Sequence, residues 1–210
     1  MSSADIFNSR AIEYDRWYDE HRLVYLSELK AVEKFECKRG VEIGVGTGRF
    51  ARGGAILVGV DPSINMLKLA PKNVHLIRGV GEALPLRSKA FDCAFIIVTL
   101  CFVDDPIQVL RESIRVSEKV ITCIIPRRSP WGRRYESLGK RGHAIYSKAK
   151  FYSVKNVIDI ASEIGLRPAK IIATMSREPG KGEFIEEVRR VSAEEAENYG
   201  FVCIEFVPEK

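Results

Sequence analysis

The sequence predicts an α/β fold in which a mostly parallel, doubly wound sheet carries helices on both faces. Three observations carry that reading. Short β-rich apolar runs alternate with amphipathic stretches from about residue 41 onward, the pattern of strands joined by helical crossovers. The first run ends in a glycine-dense turn, Gly44-Val45-Gly46-Thr47-Gly48. The second run, Ile56 to Val60, is closed by an acid, Asp61. Strand, glycine turn, strand and acid together make a nucleotide-binding edge: glycines let backbone N–H groups approach a ligand, and a carboxylate at the second strand's end can accept both hydroxyls of a ribose.

Taken in order, residues 5–36 precede the first strand and read as helical, with an apolar stripe that includes Ile6, Phe7, Trp17, Tyr18, Leu26 and Phe35. Strands are expected at 41–45, 56–60, 74–77, 91–98, 119–125, 169–175 and 201–207. The gap between Gly48 and Ile56 leaves room for about two helical turns at most. Asp61-Pro62-Ser63 opens a helix through Ile64, Met66 and Leu67, with proline expected at its first position. Asp105-Pro106 repeats the signal ahead of Ile107, Val109 and Leu110. Ser153 and Gly165 bracket a helix capped at both ends. Residues 177–198 are polar and read as a solvated excursion between the last two strands.

The chain of 210 residues fits one domain, 1–210, with a sizeable core. It has no apolar run near membrane-spanning length and no signal-peptide pattern at its N-terminus. Cys37, Cys93, Cys101, Cys123 and Cys203 are scattered with no Cys-x-x-Cys pair, so the expectation is a reduced, cytoplasmic, metal-free chain. The net charge of +5 is uneven: residues 127–150 hold eight Lys or Arg against Glu136 alone, a local +7 that leaves −2 elsewhere. Such a segment describes a surface or a partner, not a fold.

The turn is G-x-G-x-G, with Arg49 where the dinucleotide fingerprint needs its third glycine, which disfavours a pyrophosphate ligand. Glu42 places a carboxylate at the strand end, where it would repel phosphate and attract an ammonium group. VEIGVGTG (41–48), GVGEALPLRSKAFDCA (79–94) and VTLCFVDDP (98–106) together resemble the class I S-adenosylmethionine-dependent methyltransferases over roughly residues 38–125. The look is nearest to the small-molecule branch of ubiquinone and menaquinone biosynthesis, and is similar also to a prokaryotic group labelled histamine-N-methyltransferase-like. The resemblance implies a Rossmann-like sheet of seven strands with the last antiparallel, and S-adenosylmethionine as methyl donor, leaving S-adenosylhomocysteine.

Carried over by position, the resemblance implies that Gly44, Val45, Gly46 and Gly48 pass the methionine part of the cofactor, and that Glu42 reaches its amino group directly or through water. Asp61 would hold the ribose, although a helix N-cap is an equal reading of that acid alone. Pro62 and Met66 would line an adenine face, Gly81 and Glu82 its edge, and Val98-Thr99 the sulfonium. Val80 stands where the family often has an acid for the adenine amino group.

In-line methyl transfer needs alignment and a dry pocket more than a dedicated base. Tyr14, His21 and His143 are the candidate acid–base groups, and the resemblance implies that residues 1–37, with Tyr14, Trp17, Tyr18, His21 and Tyr25, form a helical lid over the cofactor. Tyr135, His143 and Tyr146 fall where the family builds its acceptor pocket. Cys101 has no neighbouring proline to mark a pyrimidine-methylating nucleophile, and reads as packing. The expected acceptor is a small molecule. The rivals are RNA, read by cations and aromatics of the 127–150 insertion, and a non-catalytic cofactor-binding protein.

Overall fold

The computed structural model describes residues 2–180 and 185–209. Among the described residues, eight strands form one sheet: β1 (Gly40–Ile43), β2 (Ile56–Asp61), β3 (His75–Arg78), β4 (Phe91–Ile97), β5 (Ser117–Ile124), β6 (Leu166–Thr174), β7 (Arg189–Arg190) and β8 (Phe201–Pro208). Their spatial order is β3-β2-β1-β4-β5-β8-β6-β7. The first five are mutually parallel, and β8 inserts antiparallel between β5 and β6. The predicted class holds. The strand count rises by one because two residues of the polar 177–198 stretch, Arg189 and Arg190, pair with Ala173 and Ile172. That stretch also holds a one-turn helix, and its residues 181–184 lie outside the described residues.

Period-two alternation sorts each central strand between two cores. On β4, Ala94 and Ile96 pack on one face with Val109 and Leu110 of the helix 106–116 and Val157 of the helix 154–162. Cys93, Phe95 and Ile97 pack on the other with Tyr18, Ala31, Val32 and Trp131. In chain order the helices are α1 (Ser3–Ser9), α2 (Ala11–Glu20), α3 (Arg22–Val32), α4 (Ile64–Leu67), α5 (Pro106–Val116), α6 (Pro130–Lys140), α7 (Val154–Ser162) and α8 (Ala193–Ala196).

The caps explain several boundaries. Asp105 caps α5 by accepting from Gln108 N–H at 2.9 Å, with Pro106 at the first position as expected. Ser153 caps α7 in a capping box with Asn156. At α4 the expectation fails: Ser63, not Asp61, is the cap, accepting from Met66 N–H at 3.2 Å, and Pro62 lies before the helix. The glycine turn is followed by a single short 3₁₀ turn, Phe50–Gly53, within the predicted limit. Strand β6 begins three residues earlier than expected and admits Pro168 beside a register shift, where a missing N–H is tolerated.

The 127–150 segment is not a loose insertion. It holds α6, whose start carries the same signal as α5: Ser129 accepts from Gly132 N–H at 3.0 Å and Pro130 occupies the first turn.

The expectation of a fully reduced chain is overturned, since Cys37 joins Cys93 and Cys123 joins Cys203 in disulfides, leaving Cys101 free. Strand register accounts for the second pair, since Cys123 and Cys203 are direct partners across β5 and β8. No helix among the described residues is long and apolar enough to cross a membrane.

Candidate active site

The strand order reverses between β1 and β4, so the loops after these strands diverge and leave a crevice at their carboxyl ends. A chamber opens there. Its walls include Gly44 and Gly46 after β1, Asp61 and Pro62 after β2, Gly81 and Glu82 after β3, and Val98 and Thr99 after β4. Met66 and Tyr14 also line it. Three residues of the sequence-derived set lie outside the wall. Val45 turns its side chain onto Gly59, whose own Cβ would meet it at 2.7 Å. Gly48 packs against Pro71, and Glu42 is buried behind the loop.

Two glycines explain the shape of the turn. Gly44 has φ +75°, and a Cβ there would meet Thr99 Oγ1 at 2.4 Å, so it lets β1 and β4 end side by side. Gly46 has φ +54°, and a Cβ would find only Tyr14 Cε1, at 3.9 Å. Space is therefore left over Gly46 and facing the chamber. Its N–H donates to Asp61 Oδ2 at 2.9 Å, while Ser63 N–H donates to Asp61 Oδ1 at 2.8 Å. Asp61 thus ties the loop after β1 to the turn after β2, and its remaining lone pairs are available to the chamber.

Burial raises the Asp61 carboxyl above its ordinary range, opposed by those two backbone donors. Glu42 is raised further, first by burial and then by the neighbouring charge of Asp61. Its Oε2 is buried and has no hydrogen-bond partner among the described residues. Two buried acids and an orphaned carboxylate oxygen make a site that favours a cationic ligand bearing hydroxyls. This donor set fits a sulfonium nucleoside carrying an amino acid.

Val98 takes φ +49°, which costs a β-branched residue on the order of 1–3 kcal/mol. The strain is held by its N–H, which donates to Cys123 O at 2.8 Å, and it turns the chain where two chambers meet. The second chamber shares Tyr14, Val98 and Phe102 with the first. Its walls are largely aromatic: Trp17 and Tyr18 of α2, Trp131 and Tyr135 of α6, then Tyr146 and Phe151. His21 and His143 sit exposed at its edge, stacked on Trp17 and Tyr146. Cys101 also lines it, its thiol pushed up to about 12 by burial, which leaves little thiolate for nucleophilic attack.

Sequence reasoning missed several wall residues: Ser2, Ser3 and Phe7 of the N-terminal segment, then Phe102 and Asp104. Phe7 was visible as part of the apolar stripe, and its ring meets Tyr14 and Phe102 edge-on. The N-terminal helices are fastened at two points. Asn8 Oδ1 accepts from Ser63 Oγ at 3.0 Å and Asn65 N–H at 3.1 Å. Arg49, 6% exposed, donates to both oxygens of Asp15 at 2.6 Å and to both of Asp19 at 2.7 and 2.9 Å. Tyr25 is outside both chambers and donates to Arg49 O at 2.6 Å.

Comparison with known proteins agrees with this geometry. Residues 41–120 match the methyltransferase domain family. An uncharacterised protein of Methanocaldococcus jannaschii is 38% identical over 95% of this chain and 97% of its own length. A demethylmenaquinone methyltransferase of Corynebacterium kroppenstedtii is 40% identical over a shorter stretch, 35% of this chain and 32% of that one. A crystal structure from Thermotoga maritima, described as an S-adenosylmethionine-dependent methyltransferase and possible histamine N-methyltransferase, superposes with a TM-score of 0.90 at 38% identity, covering 98% of this chain and 99% of that one. With a fitting donor chamber and full-length similarity of this kind, the chain belongs to the S-adenosylmethionine-dependent methyltransferases, and S-adenosylmethionine is its cofactor.

Proposed function

We propose that the chain methylates a small molecule held in the aromatic second chamber, using the first chamber for the methyl donor. The observation that carries this is the junction: Tyr14, Val98 and Phe102 line both chambers, so donor and acceptor meet across one strained strand end. The cofactor supplies an electrophilic methyl group on a sulfonium, with a neutral thioether as leaving group. The chain's own residues hold and align. Asp61 takes the ribose hydroxyls, Pro62 and Met66 an adenine face, and Gly81 and Glu82 the adenine edge. Glu42, being buried behind the loop, meets the amino group through a bridging water. Val80 cannot accept from the adenine amino group; Asp104, on the same wall, takes that part. Tyr14 closes the junction, and residues 2–37 cover both chambers, excluding water from the displacement.

Burial of aromatics in α6 favours a small acceptor over RNA. Trp131 and Tyr135 are 9% and 7% exposed and point into the core, so they cannot stack on bases from the cationic surface. Arg127 pairs with Glu136 at 2.9 Å. The test is to incubate the protein with methyl-labelled S-adenosylmethionine and, separately, a nucleic-acid-free metabolite extract or total RNA. Label entering the metabolite fraction is expected. Label entering only RNA would overturn the reading.

A further inference from the structure

The second chamber contains one feature that methyl transfer in general does not require. Glu28, on α3, lines its wall and is 5% exposed. Burial is the only cause acting on its carboxyl, which is pushed up to about 8; neither a hydrogen bond nor a charged partner offsets it. A carboxylate this deep is costly unless something pairs with it, and none of the described residues does. Around it stand aromatic rings from three directions. Its charge is felt by the phenols of Tyr14 and Tyr18 on α2, and by those of Tyr135 and Tyr146 across the chamber.

We infer that this chamber binds a protonated amine, with Glu28 as its counter-ion and the surrounding rings as a cation-accepting cage. The inference rests on the reading of the second chamber as the acceptor site and names the acceptor's class. An ammonium supplies the partner that Glu28 lacks, and its substituents lie on ring faces that attract cations. A carboxylate or phosphate acceptor gains no such pairing, because it leaves Glu28 protonated and uncharged. Arg134 lies on the chamber's edge but is exposed to solvent, where its charge is screened. The Glu28 shift carries no contribution from it.

Binding then has a proton signature. The phenols facing Glu28, including Tyr25 on its own helix, are all pushed up and stay neutral at pH 7. Cys101 is likewise held as a thiol. Glu13 and Glu20 of α2, with His21 and His143, are at the exposed edge, where solvent screens them. Glu28 is therefore the buried group that must ionise when the ammonium arrives, and an amine entering as a cation at pH 7 releases a proton.

The test uses protein saturated with S-adenosylhomocysteine and three probes of similar shape: 2-phenylethylamine, 2-phenylethanol and 3-phenylpropionate. Calorimetry should show the amine binding at least about tenfold more tightly than either other probe. Repeating the amine titration in buffers of different ionisation enthalpy should show proton release. Glu28→Gln should abolish both the preference and the release while S-adenosylhomocysteine affinity stays within about twofold. Equal binding of alcohol and amine, or an amine preference that survives Glu28→Gln, would overturn the inference. If S-adenosylhomocysteine fails to bind wild-type protein, the donor-site reading is the one that fails. Should Glu28→Gln not fold, Glu28→Asp keeps the charge and should retain the preference, and the wild-type probe series and proton count decide alone.

Discussion

Asp61 does two things that a single carboxylate can do only when both of its oxygens face different partners. It takes one N–H from the glycine turn and one from the start of the next turn, and its remaining lone pairs face the chamber. That arrangement makes it a strut that still presents free lone pairs to the chamber. Asp61→Ala should weaken S-adenosylhomocysteine binding by roughly 10- to 100-fold, the size of one or two hydrogen bonds to a charged group. Titration calorimetry checks this, and unchanged affinity would place the ribose elsewhere. Glu28 and Glu42 are the other buried acids near the chambers, and each is raised by burial before anything else. Each therefore favours a cation, Glu42 behind the first chamber's loop and Glu28 among the aromatic rings of the second.

At the scale of elements, Arg49 joins the loop that follows β1 to α2. Its guanidinium makes a fork of hydrogen bonds to Asp15 and Asp19, a geometry that lysine cannot reproduce. The residue that disfavours a pyrophosphate in the sequence motif thus serves as the fastening of the N-terminal helices. Arg49→Ala leaves a partly buried Asp15 without its partner and should destabilise the fold by about 3 kcal/mol. Thermal unfolding measures that loss. Because the same contact holds α2 over the donor chamber, S-adenosylhomocysteine affinity should fall along with stability. A variant with normal affinity would separate the clasp from the lid.

For the molecule as a whole, the sheet is both scaffold and divider. Its two faces carry separate cores, and the reversal of strand order beside β1 opens the crevice between them. The Cys37–Cys93 link ties the segment leading into β1 to β4 across a separation of 56 residues. A loop of that length corresponds to about 4 kcal/mol in the chain-entropy account. Cys37→Ser should lower stability by an amount of that order, and a thiol-reactive mass tag applied to the wild-type chain unfolded without reductant should label only Cys101. Labelling of Cys37 and Cys93 would show the link to be absent.

The alternation of strands and helices, the glycine turn, and the caps at Asp105 and Ser153 were legible in the sequence because each depends on neighbours within a few residues. Gly44, Gly46, Asp61 and Gly81 could be placed at strand ends for the same reason, and the structure brings them into one chamber. Glu42, Val45 and Gly48 share that local signal, yet they lie behind or beside the wall, because side-chain direction at a turn depends on what packs against it. Phe7, Phe102, Asp104 and Glu28 carry no local mark of a site. Their roles arise from contacts between elements far apart in the chain, as do both cysteine pairs, of which Cys123–Cys203 is set by strand register. Local patterning determined the fold class and the glycine-turn edge of the first chamber; only the packing of α2, α3 and α6 over the sheet decided the second chamber, since a cavity is a property of surfaces that meet in space.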